Sequence, residues 1–248
     1  MNVKKFSGEL VPFKEASLKA SLLKSGANLE QTAHVLTCIK ENIYEGISTR
    51  ELYEKAFQEL KAIKNSFAAR YSLKKALRDL GPEGFYFEKW VTKLFQAQGF
   101  DAVSGQTLQG EAVTHEIDVI ASKNDRLLIC ECKFRNDIDA KISVTTPMYF
   151  LSRFNDLKNL QFKYFGKELN PTEGYLITNA YLTSDSIAFA NKYDVKLISW
   201  DYPENRNIKR LVDEFAFYPI TCLTTLTEEE MKTLLSKNCI LVKDILTN

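Results

Sequence analysis

Three apolar segments with the alternation of β-strands follow one another between residues 100 and 134. Segments with helical periodicity precede and follow them, and each later helix is separated from the next by another short apolar run. An order of helix, three strands, helix, strand, helix and strand has few solutions among α/β folds. The order predicts an α/β domain, with helices at 85–98, 147–165, 184–192 and 205–215 and strands at 100–108, 114–121, 126–134, 174–178 and 195–200.

The predicted secondary structure changes near residue 81, from a mostly helical pattern to an α/β pattern. Upstream, leucines and other apolar residues recur at helical spacing, and Gly81-Pro82 ends the last of these helices. Ahead of them, two short apolar runs flank Ser7-Gly8 and predict a small hairpin. Short amphipathic runs around Lys237 to Ile240 predict a helical tail. We therefore expect a mostly helical domain at 1–81, an α/β domain at 84–216 and a helical tail at 217–248.

Composition restricts the class of protein. The 33 basic and 32 acidic residues give a net charge of +1, so a nucleic-acid surface must be a local patch. Five cysteines without zinc-site spacing and two histidines argue against a structural zinc site. The first residues lack the apolar run of a signal peptide, and no segment approaches the roughly 18 apolar residues of a membrane span. We expect a cytoplasmic protein without membrane partners.

Asp118, Glu131 and Lys133 carry the strongest chemical signal. Side chains alternate along a strand, so Glu131 and Lys133 share one face of an otherwise apolar segment. Asp118 lies in the preceding apolar strand, and a short turn around Asn124 allows the two strands to pair. The pairing is expected to bring Asp118 beside Glu131.

Two carboxylates and an ammonium are costly to bury without a compensating ligand. A divalent cation compensates them, because Mg²⁺ prefers carboxylate oxygens, water and substrate phosphate. Such a cation acidifies water and stabilises the charge that develops on a phosphodiester. Lys133 is then placed to orient or deprotonate the attacking water. The alternative is an ion pair at a strand end, with Asp118 as a turn residue.

These residues resemble the PD-(D/E)xK nuclease superfamily, in particular its Mrr-like restriction endonuclease branch. The similar stretches are Phe87-Glu88, His115-Glu116-Ile117-Asp118, Glu131-Cys132-Lys133 and the strand leading to Asn179. The resemblance implies a restriction-endonuclease-like αβββαβ core, phosphodiester hydrolysis and dependence on Mg²⁺ or Mn²⁺. It further implies that Asp118 and Glu131 are metal ligands, that Lys133 is the catalytic lysine and that Glu88 is the helix carboxylate completing the site.

Several further residues are candidates for the same site. His115 and Glu116 stand where many Mrr-like members carry two glycines, and each is a candidate accessory residue. A regular strand would place Glu116 on the face of Asp118 and His115 on the other, where a structural hydrogen bond is the alternative. Tyr149, Arg153 and Lys158 combine aromatic and basic groups that bind nucleic acid. Their alternative is a helix that packs on the sheet with a solvated basic edge, and a solvated helix charge is the alternative for Glu88.

The flanking segments resemble two other modules. Residues 1–80 resemble an ATP-cone through Val3, Lys5, Gly8, the run 11–13 and the run 47–53, which implies ATP or dATP bound through Lys4 and Lys5. The usual Lys-Arg-Asp-Gly reads Lys-Phe-Ser-Gly at 5–8, so a ligand-free dimerisation or DNA-binding module is the alternative. The tail resembles a helix-hairpin-helix in which Asn238-Cys239 replaces the hairpin glycine, and asparagine tolerates a left-handed turn.

The sequence as a whole predicts a metal-dependent DNA endonuclease that acts in restriction or DNA repair. A non-catalytic DNA-binding or nucleotide-sensing protein with a relict nuclease core is the alternative from a different class. A third hypothesis is a nuclease that the ATP-cone regulates. One active site per chain favours a homodimer for double-strand cleavage, and the residues leave open RNA as a substrate and exonucleolytic cutting.

Overall fold

The computed structural model describes residues 1–4, 9–81, 84–137, 139–223 and 225–246. It divides into two compact units, Met1–Leu73 and Lys74–Asn248. The division lies a few residues before the predicted boundary at 81. None of the helices in the described ranges is long and apolar enough to cross a membrane.

The first unit contains a short hairpin and helices. Its two strands pair antiparallel with Val3 opposite Val11, as predicted. Residues 5–8, Lys5 among them, lie outside the described ranges. Leucine, valine and phenylalanine side chains from the helices form one buried cluster. The elements are β1 (Asn2–Lys4), β2 (Leu10–Pro12), α1 (Glu15–Lys24), α2 (Leu29–Glu41), α3 (Thr49–Ile63) and α4 (Asn65–Arg78), the last of which crosses into the second unit.

The second unit is a mixed α/β domain, as the apolar pattern predicted. It begins with α5 (Phe85–Ala97), β3 (Asp101–Gln109), β4 (Thr114–Lys123) and β5 (Arg126–Lys133). It continues with β6 (Lys141–Ile142), α6 (Thr145–Leu157), β7 (Phe162–Tyr164), β8 (Lys167–Leu169), β9 (Pro171–Thr178), β10 (Tyr181–Leu182), α7 (Ser184–Lys192), β11 (Lys196–Ile198), α8 (Ile208–Phe215) and α9 (Glu228–Ser236).

The central sheet has the strand order β11-β9-β5-β4-β3. Strands β3, β4 and β5 are antiparallel, whereas β9 and β11 run parallel to β5. Helix α5 packs on β3 and β4, and α6 packs on β9. The Phe95 ring of α5 meets the Tyr175 ring at 5.8 Å, whereas a Cβ on the neighbouring Gly174 would lie 3.0 Å from the Phe150 ring of α6. The two helices therefore cover opposite faces of β9.

Two local predictions need correction. The helix expected at 147–165 ends at Leu157, and the antiparallel pair β7-β8 follows it. Phe165 (φ 51°) and Gly166 (φ 78°) form the left-handed turn that joins the two strands, a conformation that a helix excludes. Within the described part of the tail, α9 lies between two 3-10 helices, Ile220–Cys222 and Val242–Leu246, so the second helix expected after residue 240 is of the tighter 3-10 type. Asn238, between α9 and Val242, is left-handed (φ 62°), as its residue type suggested.

Candidate active site

Asp118 lies where β4 stops alternating regularly. Ile117 and Ile120 belong to the same buried cluster, although residues three apart in a regular strand point to opposite faces. The register of β3 and β4 places Gly105 opposite Asp118, between the pairs Ser104–Val119 and Gln106–Ile117. Gly105 has a φ of 64°, which glycine adopts without steric cost, so β3 follows the bend. The regular strand assumed when placing His115 and Glu116 therefore does not hold at this point.

One oxygen of each central carboxylate is held by a protein donor. The Cys132 amide donates to Asp118 Oδ2 at 2.6 Å, and Arg153 Nη1 donates to Glu131 Oε2 at 2.6 Å. The other terminal nitrogen of Arg153 donates to the carbonyl of Glu116. Within the described ranges, Asp118 Oδ1 and Glu131 Oε1 accept no hydrogen bond. Each carboxylate thus has a fixed orientation and one oxygen for a ligand.

Burial and neighbouring charges raise the pKa of three carboxyl groups of the site. Burial raises the pKa of Asp118 and of Glu131, and the Asp118 charge raises that of Glu131 further. Arg153 and Lys133 act in the opposite direction on both groups. Burial, followed by the charges of Asp118 and Glu131, raises the pKa of Glu88 to about 7. Such mutually perturbed groups are typical of functional sites.

Two buried polar residues, the last residue of β9 and the one after it, hold the strand end that carries Lys133. The hydroxyl of Thr178, which is fully buried, donates to the Lys133 carbonyl at 2.5 Å. The side chain of Asn179 accepts from the Arg135 amide and donates to the Arg135 carbonyl, both at 2.8 Å. These residues lie in the stretch that carried the family resemblance, yet sequence reasoning assigned them no role. Their polarity at the end of an apolar strand was the signal.

His115 pairs with Asp156 of α6, at 2.8 Å from Nε2 to Oδ2. The Asp156 carboxylate also accepts from the amides of Ala112 and Val113. His115 is only 9% exposed, so this contact matches the structural alternative, and the structure does not place it with the carboxylates. Asp156 was missed because it lies 41 residues from its partner. Glu116 is exposed and joins the site through its carbonyl.

The candidate nucleic-acid residues of α6 separate into two groups. Arg153 is mostly shielded against Glu131, with side-chain exposures of 13% for both, so it belongs to the carboxylate site. Tyr149 is 64% exposed, and its ring centre lies 5.6 Å from the Arg153 guanidinium. Lys158 is exposed at the end of α6, and Lys4 is exposed in the first unit. Sequence reasoning noted Arg153 as a DNA contact but missed its ion pair.

Glu88→Gln is expected to change how stability depends on pH in EDTA. The folded-state pKa of about 7 exceeds the ordinary value of 4.5, so the folded protein binds an extra proton between these values. Native stability should therefore fall as pH rises from about 4.5 to 7, and the Glu88→Gln substitution should remove part of that loss. Thermal unfolding at pH 5 and pH 8 measures the difference. A variant whose stabilisation is the same at both values would contradict the electrostatic environment of Glu88.

The mixed sheet and its flanking helices are consistent with a nuclease-like α/β core, and comparison with known families agrees. Residues 81–184 match the family model of the archaeal Holliday junction resolvase (hjc), a PD-(D/E)xK nuclease-like family. Residues 218–248 match the model described as AF1548-like, C-terminal. This similarity agrees with the superfamily resemblance drawn from the sequence, whereas the Mrr-like branch and the ATP-cone remain predictions.

Individual relatives match about two thirds of the chain. An uncharacterized protein of Archaeoglobus fulgidus is 27% identical over 157 residues, which cover 63% of this chain and 84% of the relative. The crystal structure of a protein of unknown function, AF1548, superposes with a TM-score of 0.56 at 26% identity and covers 66% of this chain and 83% of that chain. Can2 from Sulfobacillus thermosulfidooxidans, at 13% identity and a TM-score of 0.37 over 81% of this chain and 54% of its own, is too distant to support an inference.

Proposed function

We propose that the chain is a divalent-metal-dependent DNA endonuclease with Glu88, Asp118, Glu131 and Lys133 in its active centre. The observation that carries the proposal is the pair Asp118 and Glu131, each oriented by one protein donor and each with an oxygen left for a cation. The match of residues 81–184 to a nuclease-like family supports it independently.

The donor set fits Mg²⁺ or Mn²⁺. Carboxylate oxygens are the ligands that these hard cations prefer, and Mg²⁺ is commonly held by one or two carboxylates together with water and phosphate. Within the described ranges, the ligand atoms of Glu88, Asp118 and Glu131 do not all lie within 4.8 Å of one another. Asp118 and Glu131 are the proposed ligands, and Glu88 is proposed to support the site. A cation there would acidify water and stabilise charge on a phosphodiester.

Three side chains of the site are proposed to take part in catalysis and substrate binding. Lys133, on the strand of Glu131, is proposed to orient or deprotonate the attacking water. Its positive charge lowers the pKa of both Asp118 and Glu131, so it is part of the same charged site. Glu88 has a pKa of about 7, so it exchanges a proton near neutrality and is placed to accept one. Arg153 donates a hydrogen bond to Glu131. It is also proposed to bind a substrate phosphate, because a guanidinium group can form bidentate hydrogen bonds with phosphate.

The proposed substrate is DNA, and the resolvase family name adds branched DNA to the restriction and repair substrates considered above. With a net charge of +1, binding must depend on local contacts, for which Tyr149, Arg153 and Lys158 are proposed. Action on two strands favours a homodimer. Binding of ATP or dATP by the first unit through Lys4 and Lys5 is also proposed, and stabilisation of the protein by millimolar nucleotide in thermal unfolding tests it.

The ion pair between Arg153 and Glu131 favours one second candidate. A guanidinium 2.6 Å from a proposed metal ligand supplies the positive charge that a cation would otherwise bring. This contact supports a non-catalytic DNA-binding protein in which Arg153 stabilises a relict carboxylate site. Calorimetry with Mn²⁺ separates the two candidates, because a relict site of this kind should bind Mn²⁺ no better in the native protein than in Asp118→Ala.

Cleavage assays test the proposal directly. We expect the native protein to nick supercoiled plasmid or to cut a four-way junction in Mg²⁺ or Mn²⁺ and to stop in EDTA. Methylated and unmethylated plasmid, together with a linear duplex of the same sequence as the junction arms, separate restriction-like from junction-like selectivity. If the protein cleaves none of plasmid, junction, single strands and RNA, and does not bind Mn²⁺, the nuclease proposal is wrong and the relict-site candidate is favoured.

A further inference from the structure

Three metal-ligating side chains meet in the first unit, away from the nuclease motif in sequence. They are His34 and Cys38 on α2 and Glu59 on α3. One ligand atom from each lies within 4.8 Å of the others, and Cys38 Sγ is 3.8 Å from His34 Nε2. The proposed nuclease function uses none of these residues.

The helices position this cluster through their caps and their shared core. His34 and Cys38 are four residues apart, so they project from the same face of α2. A capping box at Asn28 and Gln31 fixes the start of α2, and the Ser48 side chain caps α3. Residues that neighbour the three ligands in sequence are buried in the core that joins the helices: Val35, Leu36, Ile39, Ala56, Phe57 and Leu60. The backbones that carry the cluster are therefore held in place.

The chemistry of the cluster suits a borderline-soft divalent cation. Imidazole nitrogen, thiolate sulfur and carboxylate oxygen are the three ligand types that Zn²⁺ uses, and three protein ligands leave a fourth position for water. His34 is exposed, and Cys38 and Glu59 are partly buried, so a cation has access from solvent. Burial and then the Glu59 carboxylate raise the pKa of the Cys38 thiol, which places the two acidic groups in contact.

We propose that His34, Cys38 and Glu59 form a Zn²⁺-type metal site that links α2 to α3. Cysteine spacing and the presence of only two histidines argued against a structural zinc site. The sequence pattern missed this cluster because one of its ligands is a carboxylate from a different helix. A hard cation such as Mg²⁺ would not select a thiolate, so the site differs in ligand chemistry from Asp118 and Glu131.

Titration of the full chain with Co²⁺ under reducing conditions tests the site. Cobalt bound to a thiolate gives a near-ultraviolet charge-transfer absorption that oxygen ligands do not give. We expect this band to saturate in the native protein, to vanish in Cys38→Ser and to remain in Asp118→Asn. His34→Ala should weaken binding at least about tenfold, since even outer-shell changes cost 10-fold to 100-fold. Glu54→Gln, which changes an exposed carboxylate on α3 that pairs with Arg50, is the matched control and should bind normally.

Two results would overturn this site. One is the absence of a charge-transfer band in the native protein, and the other is a band that persists unchanged in folded Cys38→Ser. Circular dichroism of each variant excludes unfolding as the cause of a lost band. Because Asp118→Asn should lose cleavage and keep the cobalt band, the outcome is independent of whether the nuclease proposal succeeds.

Discussion

Lys133→Ala is expected to lower metal-dependent cleavage by about 100-fold to 10,000-fold, the range that a positioned proton-transfer group contributes. The Lys133 ammonium lowers the pKa of both Asp118 and Glu131, so it lies beside the groups that would bind the cation. The Lys133 carbonyl, held by Thr178, stays in place when the side chain is removed. Single-turnover cleavage rates in Mn²⁺ measure the effect.

Binding of Mn²⁺ separates catalysis from site assembly in this variant. Lys133→Ala should bind Mn²⁺ at least as tightly as the native protein, because a competing positive charge has been removed. Lys232→Ala, an exposed lysine on α9, is the matched control and should cleave normally. A Lys133→Ala rate within a few-fold of the native rate would remove the lysine from the mechanism while leaving the metal site open to test.

Asp118→Asn is expected to have two opposite effects. Loss of a charged metal ligand should abolish Mn²⁺ binding and reduce cleavage by at least about 100-fold, as loss of direct charge stabilisation does in other enzymes. In EDTA the same variant should unfold at a higher temperature than the native protein at neutral pH. Burial raises the pKa of Asp118, so the ionised carboxylate destabilises the folded state, and the uncharged amide removes this cost.

The side-chain amide oxygen in the Asp118→Asn variant can still accept the hydrogen bond from the Cys132 amide, so the local backbone should be preserved. Asp185→Asn serves as the control, because Asp185 is an exposed carboxylate in the first turn of α7. This variant should bind Mn²⁺ and cleave as the native protein does, and it should not gain stability in EDTA. If Asp118→Asn destabilises the protein in EDTA and Mn²⁺ still binds, the charge of Asp118 is structural, as in the strand-end alternative.

Local periodicity was sufficient to predict the core elements of the second unit. Alternation of apolar residues in β4 and β5 indicated strands, and the 3.6-residue period indicated α5 and α7, because burial on one face acts within each element. The same alternation placed Glu131 and Lys133 on one face. Periodicity failed at the β7-β8 hairpin, where the local turn at Phe165 and Gly166 outweighed a weak helical pattern.

The sequence by itself determined which elements form and which side chains each presents, since those properties depend on neighbours a few residues away. Only the tertiary structure decided the partners: Arg153 with Glu131, Asp156 with His115, and Glu59 with His34 and Cys38. It also decided the bend at Gly105 and Asp118 that ends the alternation of β4. These contacts join residues on separate elements, and packing selects them from many alternatives that the same local patterns allow.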